Sequence, residues 1–245
     1  MTDVAVLLPG TGSDDVFIRS VFTAPAAAAG VTLVAPKPVP GPDLGLRHLL
    51  SLDAAYEAHG PVLAGGISFG AHLAAEWACA HPSRCAGLLL AMPAWHGAPG
   101  DCPAAVAARY SAAAVRRDGL SSALAFGPDV PPWLAAELSR AWRRHGPGLV
   151  DSLLAAADRP APTLAQLATL SIPVGIAAVQ DDPLHPSPVA AQWAAAIPDA
   201  VVRSLSFADF SADRSALGHA AFAAWQASRT GRASPQSPTP RTPPS

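Results

Sequence analysis

The sequence predicts an α/β protein: a doubly wound, mainly parallel sheet of about six strands, with helices on both faces and a helical cap. Three observations lead there. Short apolar runs end repeatedly in turn residues, helical periodicity fills most of the gaps between them, and one interval of roughly 70 residues holds helical patterns only. Regular alternation of strand and helix implies right-handed crossovers and hence a parallel sheet covered on both sides.

The first strand is read at residues 4–8, closed by Pro9-Gly10, and a helix follows at 16–29. A strand at 31–35 ends at Pro36, a helix covers 44–59, and a strand at 62–64 ends at Gly65-Gly66. The alanine-rich stretch 71–81 reads as a helix, and the run 87–92 as a strand closed by Pro93. Between Pro99 and Leu170 the helical patterns fall at 103–117, 131–145, 148–157 and 163–170, separated by prolines and glycines that suit helix starts and stops. This interval exceeds an ordinary crossover and is expected to cap the carboxyl edge of the sheet. Alternation resumes with a strand at 172–179, a helix at 188–197 and a strand at 201–207. Residues 1–98 and 171–227 therefore form the expected core and 99–170 the cap. The Pro/Ser/Thr/Arg-rich residues 228–245, without apolar periodicity, are expected to be a disordered tail.

Composition excludes several classes. The 245 residues are 50% apolar, enough for one sizeable core, while only 14% are charged and the net charge is −2. No basic surface is available for nucleic acid, and no apolar run approaches the ~20 residues of a membrane span. Met1-Thr2-Asp3 lacks a basic n-region, and the apolar run behind it is too short for a signal peptide. The three cysteines, Cys79, Cys85 and Cys102, have no C-x-x-C spacing, which argues against a disulfide framework or a zinc site. The expectation is a cytoplasmic protein with a small-molecule partner and no metal or organic cofactor. Neither nucleic acid nor membrane is expected as a partner, and a homodimer stays open.

Chemistry gathers at Gly66-Ile67-Ser68-Phe69-Gly70, a G-x-S-x-G pattern where a strand meets a helix. A sharp turn there strains the serine backbone and lifts its hydroxyl above the sheet, with small residues on either side to avoid collisions. The helix start points free N–H groups at the same place, so the amide of Phe69 is one expected oxyanion donor. A second should come from the small-residue loop Pro9-Gly10-Thr11-Gly12-Ser13, at Thr11 or Gly12. A dinucleotide-binding reading of this loop fails, because Asp15 stands where a third small residue is needed and Asp14-Asp15 would repel a pyrophosphate. A serine nucleophile also needs a base and an orienting carboxylate, which in hydrolases built on a doubly wound sheet come later in the chain, on loops after the last strands. Gln180-Asp181-Asp182-Pro183-Leu184-His185-Pro186 and Leu217-Gly218-His219 both fall in such places. His219 is the expected base on order and setting, with His185 read as a loop residue near the acid.

With its G-x-S-x-G elbow, an acid loop of the form D-x-x-x-P and a terminal G-H-x-x-F, the sequence resembles the α/β-hydrolase superfamily from about Val4 to Trp225. The resemblance implies the α/β-hydrolase fold and places the acid four residues before a proline. Asp182, ahead of Pro186, meets that rule; Asp181, Asp209 and Asp213 are weaker alternatives. It also implies hydrolysis of an ester-like bond through an acyl-enzyme on Ser68, with Asp182 and His219 completing the triad. Trp95 and His96, after the strand ending at Met92, are expected to touch a small and largely apolar substrate, with Trp95 reading equally well as a core anchor at the cap hinge. A carboxylesterase or lactonase is the first expectation, a thioesterase its rival, and a binding protein on the same scaffold the alternative of another class.

Overall fold

The structure is a computed structural model that describes residues 3–232. Six strands among these form one sheet in the order β2-β1-β3-β4-β5-β6, and every neighbouring pair is parallel. They are β1 (Val4–Leu8), β2 (Thr32–Val34), β3 (Val62–Ile67), β4 (Cys85–Ala91), β5 (Val174–Gln180) and β6 (Ala200–Ser206). The strand order reverses between β1 and β3, so a crevice opens outside their carboxyl ends, the natural ligand position in an open α/β sheet.

Alternating side chains feed two cores. On one face Val6, Leu8, Ala64, Leu88, Leu90 and Ile176 pack against α2 (Leu44–His59), α3 (Phe69–Ala80) and α8 (Ser187–Ala196). On the other, Ala5, Leu7, Leu63, Leu89, Ala177 and Val179 meet α1 (Asp15–Ala28) and α10 (Ser215–Arg232). Both faces being covered explains why the central strands read as unbroken apolar runs.

Two glycines let α10 lie close. A Cβ on Gly175 of β5 would run into the backbone of Trp225. A Cβ on Gly218 would strike the carbonyl of Val21 on α1. That carbonyl has no intrahelical donor, because the residue four positions on is Pro25, which lacks an N–H. Gly218 is therefore a packing residue.

Between β4 and β5 come α4 (Pro103–Ala123, kinked at Gly119), α5 (Pro132–His145), α6 (Leu149–Ala157) and α7 (Leu164–Leu167). Ala112, Trp142, Leu149 and Leu153 give this layer a small core of its own. The expected tail is corrected in part: residues 228–232 continue α10, with Ser228 buried, and 233–245 lie outside the described residues. Another helix missing from the sequence reading, α9 (Phe207–Ala212), follows β6 directly. Among the described residues no helix is long and apolar enough to cross a membrane.

Candidate active site

Ser68 is the junction of β3 and α3, with φ 53° and ψ −113°. This is an unfavourable conformation for a residue with a side chain, and the surroundings enforce it. The Ser68 N–H donates to the Ala91 carbonyl at 2.8 Å, and its own carbonyl accepts from His72 N–H at 3.1 Å. Gly66 and Gly70 are needed on either side, since a Cβ on either would collide with the Leu8 carbonyl. The β1 end thus sits hard against the elbow, and Gly10 continues the contact, its Cβ position 3.5 Å from that of Ser68.

The hydroxyl of Ser68 meets an imidazole: Oγ lies 2.9 Å from Nε2 of His185. Nδ1 of His185 is 3.2 Å from Oδ1 of Asp182. An ionised carboxylate only accepts, so Nδ1 carries the proton and Nε2 is free to accept from Ser68. Asp182 Oδ1 also accepts the backbone N–H groups of Leu184 at 2.8 Å and His185 at 2.9 Å. Burial alone would raise the Asp182 carboxyl. The ring and charge of His185 and the two backbone N–H groups outweigh it and hold the pKa below the ordinary carboxylate value.

The expected base is corrected here. His219 is exposed in the first part of α10 and does not line the cavity, whereas His185 bridges Ser68 and Asp182. The reason is helical geometry: Leu217, Ala221, Ala224 and Trp225 form the buried stripe of α10, and position 219 falls on the opposite side. That stripe was readable from the spacing of the apolar residues. Ser68 and Asp182 are linked through a histidine three residues beyond the carboxylate.

A cavity of about 230 Å³ opens over Ser68 between the cap and the carboxyl edge of the sheet. Its floor includes Gly10, Thr11, Met92 and His185, and its walls are largely apolar, with Phe17, Trp133, Leu138, Trp142 and Phe210 prominent. Thr11 lines it beside Ser68; Gly12 does not, being buried with its Cβ position 2.8 Å from the Trp142 indole nitrogen. Of the two expected loop donors, only Thr11 faces the site. The N–H of Phe69 is at the first position of α3, where no intrahelical acceptor exists, while its side chain is buried in the core.

Trp95 and His96 are also corrected: neither lines the cavity. Trp95 is buried in a T-shaped contact with His72, ring centroids 4.5 Å apart, and its carbonyl accepts from the Trp193 indole. His96 is half-buried nearby. Aromatic lining comes instead from α1, from α5 and from the β6–α9 junction. Among the described residues no cluster of three or more His, Cys, Asp or Glu side chains could hold a metal ion. The cysteine thiols are unpaired, and burial pushes Cys85 up to about 11.

No known family profile and no curated protein matches the chain. Solved structures do. A thermophilic esterase from Thermogutta terrifontis superposes with TM-score 0.62 at 20% identity, over 95% of this chain and 88% of that one. A carboxylesterase of Nitrososphaera gargenis gives TM-score 0.65 at 13% identity, over 84% and 82%. The enol-lactonase from Burkholderia xenovorans gives 0.60 at 17%, over 84% and 83%. The chain has the α/β-hydrolase fold.

Proposed function

We propose that the protein is a serine hydrolase that cleaves an ester-like bond of a small, largely apolar substrate through an acyl-enzyme on Ser68. One observation carries this reading: a continuous hydrogen-bonded path from Ser68 Oγ through His185 to the Asp182 carboxylate, opening into an apolar cavity. Ser68 Oγ attacks the carbonyl carbon while His185 Nε2 takes the hydroxyl proton. Asp182 keeps the imidazole in the required tautomer and stabilises the imidazolium. The oxyanion takes hydrogen bonds from the Phe69 amide and, from the β1 loop, the Thr11 amide. His185 returns the proton to the leaving alcohol; water then enters, loses a proton to His185 and attacks the acyl carbon, and Ser68 Oγ takes that proton back from His185 as the acid is released.

The apolar wall favours uncharged acyl or alcohol groups. Esterase and lactonase structures of the same fold support the reaction class. The test is labelling with a fluorophosphonate together with hydrolysis of p-nitrophenyl esters and acyl-thioesters of equal chain length. Wild type labels and turns over, and Ser68→Ala does neither. Labelling that survives Ser68→Ala sinks the nucleophile, and preference for the thioesters moves the reading to a thioesterase.

A further inference from the structure

We infer that helix α5 of the cap positions the oxyanion loop, with Arg140, Arg144 and His145 acting as positioning residues through Asp14 and Ser13. The inference rests on the serine-hydrolase reading above.

The loop needs an external hold. Strand pairing of β1 stops at Leu8, opposite Gly66, and α1 begins only at Asp15. Between them a turn closes from the Ser13 N–H to the Gly10 carbonyl at 3.1 Å, with Gly12 at φ +65°. Strand pairing does not restrain this segment, yet its Thr11 lines the same cavity as Ser68.

Helix α5 grips it at four successive points. His145 Nε2 lies 2.9 Å from the Ser13 carbonyl. The Trp142 indole packs on Gly12 and leaves no room for a side chain there. Arg140 forks onto both oxygens of Asp14, with Nη2 to Oδ1 at 2.8 Å, and Arg144 pairs with Asp14 and, at 3.2 Å, with Asp15. Asp14 is itself almost wholly buried and caps α1, accepting from Val16 N–H at 2.9 Å.

A buried carboxylate between two arginines contributes little net stability, because desolvation offsets most of the attraction. It contributes geometry, since bidentate pairs define distance and direction together. The same helix presents Trp133, Leu134 and Leu138 to the cavity. One rigid element therefore forms the substrate wall and sets the loop that bears the second oxyanion donor. Displacing such a donor by about 1 Å costs as much as two orders of magnitude in rate. The consequence is specific: loosening α5 slows turnover even of an ester too small to reach the cap.

The test uses the full chain with p-nitrophenyl acetate and p-nitrophenyl octanoate. Arg140→Gln and Arg144→Gln each leave Asp14 one arginine. Both are expected to lower kcat on the acetate about tenfold with KM within about twofold, and to weaken a trifluoromethyl ketone inhibitor by the same factor. Arg140→Lys recovers part of the loss, and Arg117→Gln, at an exposed pair with Asp118, behaves as wild type. His145→Leu removes the Ser13 contact without touching the buried carboxylate, and reads the same coupling if the arginine variants do not fold. Unchanged acetate kcat in the folded variants, with only octanoate KM raised, overturns the inference and leaves α5 as a wall. A wild type that hydrolyses neither ester and takes no fluorophosphonate overturns the hydrolase reading as well.

Discussion

Asp182 holds His185 twice through one oxygen: Oδ1 accepts its backbone N–H at 2.9 Å and faces its ring Nδ1 at 3.2 Å. The proposed acid and base therefore share a single loop after β5, with Pro183 directly after Asp182 and Pro186 directly after His185, and shift together if that loop shifts. The segment after β6 is left free to supply Phe207 and Phe210 to the cavity wall.

Exchanging the two candidate histidines separates their roles. His185→Ala is expected to lower kcat/KM by about three orders of magnitude or more, because among the described residues His185 is the group hydrogen-bonded to the Ser68 hydroxyl that can take its proton. His219→Ala, at an exposed helical position, stays within about twofold of wild type in activity, with thermal unfolding little changed. Initial rates on one p-nitrophenyl ester decide it.

Asp182→Asn removes the charge while retaining an oxygen for the loop N–H groups. It is expected to reduce kcat by roughly 10²- to 10⁴-fold, since the imidazolium formed in the transition state loses its counter-charge. Asp182→Ala also frees the loop N–H groups and lowers the unfolding temperature besides. Steady-state kinetics beside a melting curve distinguish the two losses.

Acid should destabilise the fold well above the carboxylate range. His72, which accepts the Ala94 N–H on Nε2, is held down to about 3 by burial and then by the nearby His185. His48 is held down to about 4 by burial and then by His145. Both histidines protonate near their ordinary value of 6.5 once unfolded, so below that pH the unfolded chain binds protons that the folded chain refuses. Stability is full above about pH 6.5 and falls by about 1.4 kcal/mol per pH unit for each histidine as pH drops toward 4. Asp182 and Asp14, both depressed, add their loss only below about pH 4. Urea midpoints at pH 7, 6 and 5 measure the slope; His72→Gln should make it shallower, and a flat profile contradicts the assignment.

Gly218→Ala drives a methyl group into the Val21 carbonyl and Pro25 of α1. A loss of about 1–3 kcal/mol in unfolding free energy is expected, with activity per folded molecule unchanged. A selective loss of kcat without loss of stability would show that this glycine serves the site rather than the helix contact.

Much of the fold was readable because its signals are local. The apolar runs 4–8 and 172–179 correspond to β1 and β5 with ends displaced by at most two residues, and the proline-started helices α4 and α5 begin within one residue of where expected. The elbow was readable for the same reason, Gly66, Ser68 and Gly70 meeting steric demands within five residues. His219 misled because a Gly-His pair near the chain end fits the chain order of the resemblance. Its helical face, visible from Leu217, Ala221 and Trp225, points elsewhere. For Trp95 both readings were open, because a tryptophan after a strand end serves a core as readily as a cavity, and its packing is that of a core residue.

By itself the sequence determined the alternation of strands and helices, the strained serine turn and the position of a carboxylate just after the fifth strand. Each depends on periodicity or sterics across a few neighbouring residues. Only the tertiary structure decided which histidine reaches Ser68, which of Thr11 and Gly12 faces the cavity, and that α5 holds the loop between them and α1. Those outcomes depend on where loops from distant strands converge, which strand order and cap packing set together through contacts more than a hundred residues apart in the chain.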